Sequence, residues 1–135
     1  MESEHFEISD NMDDLAEEVI CEHEELHWIR QSDVRIGYVS SSKAKQSKGR
    51  SVYGECMKVK EIYQLYTPYD FLIIFYGPNV EGLDREQLKI LMFHELLHVG
   101  VDTNGQFRIN PHDIEDFSLI LEQYGLGWGY KKESE

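Results

Sequence analysis

His94-Glu95-Leu96-Leu97-His98 is an HExxH motif inside an apolar run at residues 88–101 that reads as a buried helix. On an α-helix, residues four apart share a face, so His94 and His98 can each offer an imidazole nitrogen to one metal ion. Glu95 stands about 100° round the helix, beside the place where a metal-activated water would sit. The spacing therefore supplies two ligands and a general base for zinc hydrolase chemistry.

The chain carries its own control, because His23-Glu24-Glu25-Leu26-His27 is a second HExxH. From the chain's own His and Glu frequencies, about three chance matches are expected per hundred such sequences, so context must decide between the two. On a helical wheel, Leu88, Leu91, Met92, Leu96 and Val99 form one broad face that also contains Glu95. Burial raises a carboxylate's pKa toward the range a base needs. In the first segment His23 and His27 fall on the stripe of Leu15, Val19 and Leu26, whereas Glu24 falls on the charged face with Asp13 and Glu17. That segment reads as the capped, partly buried end of an amphipathic helix.

A catalytic zinc takes three protein ligands and keeps a further position for water. After His98 the chain is expected to break its helix at Gly100, and after Asn110-Pro111 it offers His112-Asp113-Ile114-Glu115-Asp116 at the start of a new helix. His112, Asp113, Glu115 and Asp116 are all chemically able to be the third ligand. We favour His112, since imidazole suits zinc and Asp113 or Asp116 can then orient a ligand's second ring nitrogen. The competing reading is that His112-Asp113 caps the last helix. A cation or phenol usually steadies the oxyanion; Arg108 and Tyr76 are conceivable, and the sequence places neither.

These residues need a scaffold. At 135 residues and 41% hydrophobic, residues 1–135 have the size of one domain, with its core at about 11–125. Ser9-Asp10-Asn11 caps a helix expected over 12–27. Val34, Ile36 and Tyr38 alternate as a half-buried strand, 40–50 is a polar loop, and 51–59 reads as the partner strand of a hairpin. Residues 61–67 have no clear assignment. Phe71-Leu72-Ile73-Ile74-Phe75-Tyr76 is apolar on both faces, hence a strand covered on both sides and ended by Gly77-Pro78-Asn79. Asp84 with Gln87 forms a capping box opening the motif helix. A final helix over 112–124 stops at Gly125, with Gly127-Trp128-Gly129-Tyr130 and the tail loosely held.

The formal net charge is -13, with acid concentrated in the first 25 residues, which disfavours binding of the whole molecule to nucleic acid or a membrane surface. The loop with Lys43, Lys45, Lys48 and Arg50 is the exception, and its ordinary reading is a solvated hairpin loop. Cys21 and Cys56 have no CxxC spacing and read as free, packed thiols; with no leader or long apolar run, a cytoplasmic protein is expected.

Taken together, His94-Glu95-Leu96-Leu97-His98 followed by His112-Asp113-Ile114-Glu115-Asp116-Phe117 resembles the phage metallopeptidase family of minimal zincins. The order of elements from about 12 to 125 is also similar: an acidic first helix, the Ile36-Gly37-Tyr38 strand with a Ser/Lys loop, the 70–76 strand and the 88–98 helix. The resemblance implies an α+β, minimal zincin-like domain from phage or prophage. It comprises a small mixed sheet, an N-terminal helix, an HExxH helix and a C-terminal helix, related in outline to the SprT-like proteases. It implies Zn2+ held by His94, His98 and His112, Glu95 as catalytic base, and a peptide or protein substrate. The longer metzincin pattern is absent after His98. Two other functions are compatible with the residues: a zinc-stapled phage binding or adaptor protein without catalysis, and a metallohydrolase of small amides or esters. An extended peptide can bind by adding to a sheet edge, but the sequence does not say which strand is the edge. Oligomeric state is not legible.

Overall fold

The computed structural model describes residues 5–111. The fold is α+β and is built around the 71–76 run. In chain order the elements are β1 (Phe6–Ile8), α1 (Asp10–Glu22), a 3-10 turn (Glu24–Leu26), α2 (Trp28–Gln31), β2 (Ile36–Ser41), β3 (Gln46–Ser47), β4 (Arg50–Ser51), β5 (Gly54–Lys58), a 3-10 turn (Glu61–Leu65), β6 (Phe71–Tyr76), α3 (Gly77–Val80), α4 (Arg85–Leu97), β7 (Val99–Val101) and β8 (Phe107–Ile109).

The main sheet has the order β1-β2-β6-β5. β6 is central, parallel to β2 with Ile36 opposite Phe71, and antiparallel to β5 with Gly54 opposite Phe75. The sequence suggests a β2–β5 hairpin; instead the two strands flank β6 and never pair. A strand apolar on both faces gains most from a central position, where both faces and both edges are covered, and it separates the two half-buried strands. β1 adds antiparallel to β2.

The core lies on one face of this sheet, where Ile73 and Phe75 meet Leu15, Val19 and Ile20 of α1 and Leu91, Met92 and Leu96 of α4. Fully burying each such side chain contributes roughly 1.5–3 kcal/mol. On the opposite face the Tyr76 ring lies under Lys45, 5.6 Å from the ring centroid. β6 is therefore covered on both sides, as its two apolar faces led us to expect.

Local capping acts as the sequence suggests. Ser9 is the N-cap of α1, its hydroxyl accepting from the Met12 amide at 3.2 Å. Asp84 caps α4 through a complete capping box: its carboxylate accepts from the Gln87 amide at 2.9 Å, and the Gln87 side chain accepts from the Asp84 amide at 3.0 Å. Two helix ends differ. α1 stops at Glu22 rather than reaching residue 27, because His23 takes extended backbone (φ -123, ψ 112) and lays its ring flat on Phe93, centroids 3.8 Å apart and planes 11° from parallel. α4 stops at Leu97, and Val99 to Val101 is a strand paired with β8 rather than the end of the helix.

Lys89 lies within 2.8 Å of Glu22 and 3.2 Å of Glu18, and Arg85 also pairs with Glu18, so charge as well as packing sets the two helices side by side. Both cysteines are thiols; Cys56 is half-buried as expected, whereas Cys21 is exposed. No helix among the described residues is long and apolar enough to cross a membrane. The expected last helix and the Gly127-Trp128-Gly129-Tyr130 tail lie outside the described residues.

Candidate metal centre

α4 carries His94 and Glu95 on its final turn, and His98 is the residue that caps its end. Because the capping box fixes its start and Leu91, Met92 and Leu96 its rotation against the sheet, the turn has one orientation. The two imidazoles lie edge to face, centroids 5.2 Å apart and planes 72° from parallel. Rings four residues apart on one helix face are placed to converge on a common point.

His98, the C-cap residue, is held by Asn110. Its Nδ1 lies 2.7 Å from the Asn110 carbonyl oxygen. A carbonyl only accepts, so Nδ1 carries a proton, and in the neutral ring Nε2 is then the lone-pair nitrogen. A ligating histidine typically has this arrangement, in which a backbone acceptor fixes tautomer and ring angle. The donor chemistry of His94 and His98 thus fits zinc.

Asn110 reaches this position through the β7–β8 hairpin, which the sequence reading missed. Its side-chain amide donates to the carbonyls of Leu97 at 3.2 Å and Val99 at 3.3 Å, and its Oδ1 accepts from Arg108 Nε at 3.1 Å. A Cβ at Gly100 would lie 2.3 Å from Asn110 Oδ1, so glycine is needed there for close approach. Gly100 was expected to break the helix; its role is to admit Asn110. The Asn-Gly pair at 104–105, with Gly105 at φ 81, marked the hairpin's turn in the sequence.

Glu95 is 4% exposed. Its carboxylate lies against β5: a Cβ on Gly54 would sit 3.3 Å from Oε2. Farther along β5, burial, with a smaller contribution from the Glu95 charge, pushes the Cys56 thiol up to about 12. β5 is an edge strand of the main sheet. The Tyr76 amide donates to the Tyr53 carbonyl and the Val59 amide to the Asp70 carbonyl, so the odd-numbered residues bond inward to β6. By antiparallel alternation, Gly54, Cys56 and Lys58 turn their backbone groups toward the side of β5 that pairs with no other strand among the described residues.

The first HExxH has a different structure. Its residues are spread over an extended His23, a 3-10 turn and the start of α2, so His23 and His27 do not share a helix face. His27 Nε2 lies 3.3 Å from the Cys21 carbonyl, Glu24 is exposed, and burial holds the stacked His23 below its ordinary pKa.

Of the remaining predicted site residues, His112 and its alternatives Asp113, Glu115 and Asp116 lie outside the described residues, and among those described no group of three His, Cys, Asp or Glu is placed to hold a metal ion. Tyr76 gives its hydroxyl to Glu55 at 2.5 Å.

These features define an α+β chain whose His-Glu-x-x-His helix packs against an edge strand. Comparison with known proteins then places it. The family model described as "Putative phage metallopeptidase" matches residues 4–134, and the chain belongs to that family. A search of curated proteins and a search of solved structures returned no match.

Proposed function

We propose that this chain is a zinc-dependent, cytoplasmic peptidase acting as a single domain over residues 1–135. In this reading His94, His98 and His112 hold the metal, and Glu95 is the general base. The observation that carries it is a buried glutamate between two histidines on one helical turn, one of them oriented through its second nitrogen by Asn110. Family membership supports the peptidase class.

Bound by these histidines, zinc supplies Lewis acidity, acidifying water and polarising a carbonyl. Glu95 takes the proton from the attacking water and passes it to the leaving amine. Its burial keeps bulk water from competing for that proton. Asn110 holds the His98 ring still, and Gly54 leaves the space the carboxylate occupies. An extended peptide would lie along the side of β5 away from β6, bonding to the backbone of Gly54, Cys56 and Lys58. Tyr76 and Arg108 have partners elsewhere and receive no oxyanion role.

The test is zinc content by mass spectrometry on protein purified without chelator. Near-stoichiometric zinc should vanish in His94→Ala/His98→Ala and persist in His23→Ala/His27→Ala. Glu95→Gln should keep its zinc and lose about 10²–10⁴ in kcat on peptides. Zinc retained with every activity indifferent to Glu95→Gln would make the metal a staple of a binding protein. Hydrolysis of esters or small amides without peptides would point to the non-proteolytic hydrolase.

A further inference from the structure

Between Asp33 and Glu55 the chain contains five cations and no acid, in a protein of net charge -13. The structure folds the middle of this stretch into the β3–β4 hairpin, with Gln46 opposite Ser51 and Ser47 opposite Arg50. Its two-residue turn is Lys48-Gly49, with φ 53 and 78. Hairpin turns of this hand favour Asn, Asp or Gly at both positions, and the left-handed region is unfavourable for a side chain such as lysine. The tip thus carries a cation where the backbone favours another residue.

The hairpin's base is fastened. The Asn79 amide donates to the carbonyls of Lys45 at 2.8 Å and Val52 at 2.6 Å, and Lys45 Nζ lies 2.7 Å from Glu55. Lys48 and Arg50 are exposed and enter no ion pair among the described residues. Four residues after Arg50 the chain reaches Gly54, against the Glu95 carboxylate. At about 3.3 Å per residue that separation is at most roughly 13 Å, within reach of a peptide's neighbouring residues.

We propose that the β3–β4 hairpin is a specificity subsite for acidic residues: a peptide lying along β5 and continuing past Gly54 meets Lys48 and Arg50, which favour Asp or Glu several positions from the cleaved bond. This inference rests on the peptidase reading above. A nucleic acid fits less well, because so few phosphate contacts release few counterions and the acidic remainder of the protein repels a long polyanion. A short acidic segment needs only the local complementarity.

The test uses fluorogenic peptides that share one central sequence and are flanked by glutamates or by glutamines, with the parent and with Lys48→Ser/Arg50→Ser. In parallel, binding of the same peptides and of oligothymidylate to zinc-loaded Glu95→Gln, with and without the hairpin substitutions, is read by fluorescence anisotropy. The glutamate-flanked peptide should be cleaved with kcat/KM higher by about fivefold or more at low salt, falling to near parity in the hairpin variant and at high salt. Cleavage with a preference indifferent to the hairpin substitutions overturns the subsite and leaves the peptidase reading standing. If no peptide is cleaved, the peptidase reading fails, and anisotropy still decides the hairpin: charge-selective binding lost with Lys48→Ser/Arg50→Ser supports an acidic-peptide site, and its absence overturns it. Tighter hairpin-dependent binding of oligothymidylate assigns the surface to nucleic acid instead.

Discussion

Asn110 grips His98 through both backbone polar groups: its carbonyl oxygen lies 2.7 Å from the His98 Nδ1, and its amide donates to the His98 carbonyl, also at 2.7 Å. The end of the motif helix and the orientation of a proposed ligand are thereby set by one residue twelve positions further along the chain.

Asn110→Ala leaves the backbone contacts possible but removes the side-chain bonds to the Leu97 and Val99 carbonyls that hold the strand in place. Losing these partners should cost about 1–3 kcal/mol of stability. Looser His98 orientation should weaken zinc about tenfold or more. Thermal melting and competitive zinc titration measure the two effects; a lower melting temperature with unchanged zinc affinity would make Asn110 a staple only.

Gly54 is a second sensitive point. A single added carbon would lie 3.3 Å from both Glu95 Oε2 and the Ile74 carbonyl oxygen. Gly54→Val adds two more carbons and should displace the carboxylate, lowering kcat about tenfold or more while zinc content stays the same, since small misplacements of catalytic groups are costly. Gly54→Ala should lose much less. Full turnover in the valine variant would remove Glu95 from the role of base.

His23 makes stability depend on pH. Burial lowers its folded pKa below the ordinary 6.5, against the opposing pull of Glu25 and Glu22 and with a small push from Lys89. Between the folded and unfolded pKa values the unfolded chain binds more protons, so this stabilisation is complete above about pH 6.5 and is lost as pH falls toward the folded value. His23→Phe keeps the stack on Phe93 without the proton. In chelator its melting temperature should fall less from about pH 7 to about pH 5 than the parent's. Parallel curves would show that the stacked ring is protonated as readily as in the unfolded chain.

Much of this architecture was legible because it depends on neighbours in sequence. The Asp84-Gln87 capping box and the Ser9 cap are interactions over three residues, and the burial of Glu95 followed from its place among Leu91, Met92 and Leu96 on a wheel. The apolar run at 88–101 concealed a boundary, because a short buried strand and a buried helix look alike without a change of period. Val99 is apolar in both readings, and only its pairing with Ile109 makes it a strand.

By itself, the sequence determined the α4 helix, its start, its buried face and the presence of His94 and Glu95 on its last turn with His98 beside them, because capping and a 3.6-residue period are local. Tertiary structure decided which HExxH stays helical, which strand lies beside Glu95 and what holds His98. Those outcomes depend on the stacking of His23 on Phe93, the insertion of β6 between β2 and β5, and the return of Asn110 through a hairpin. Each is a contact between residues distant in the chain, whose free energy exists only once the whole core has assembled.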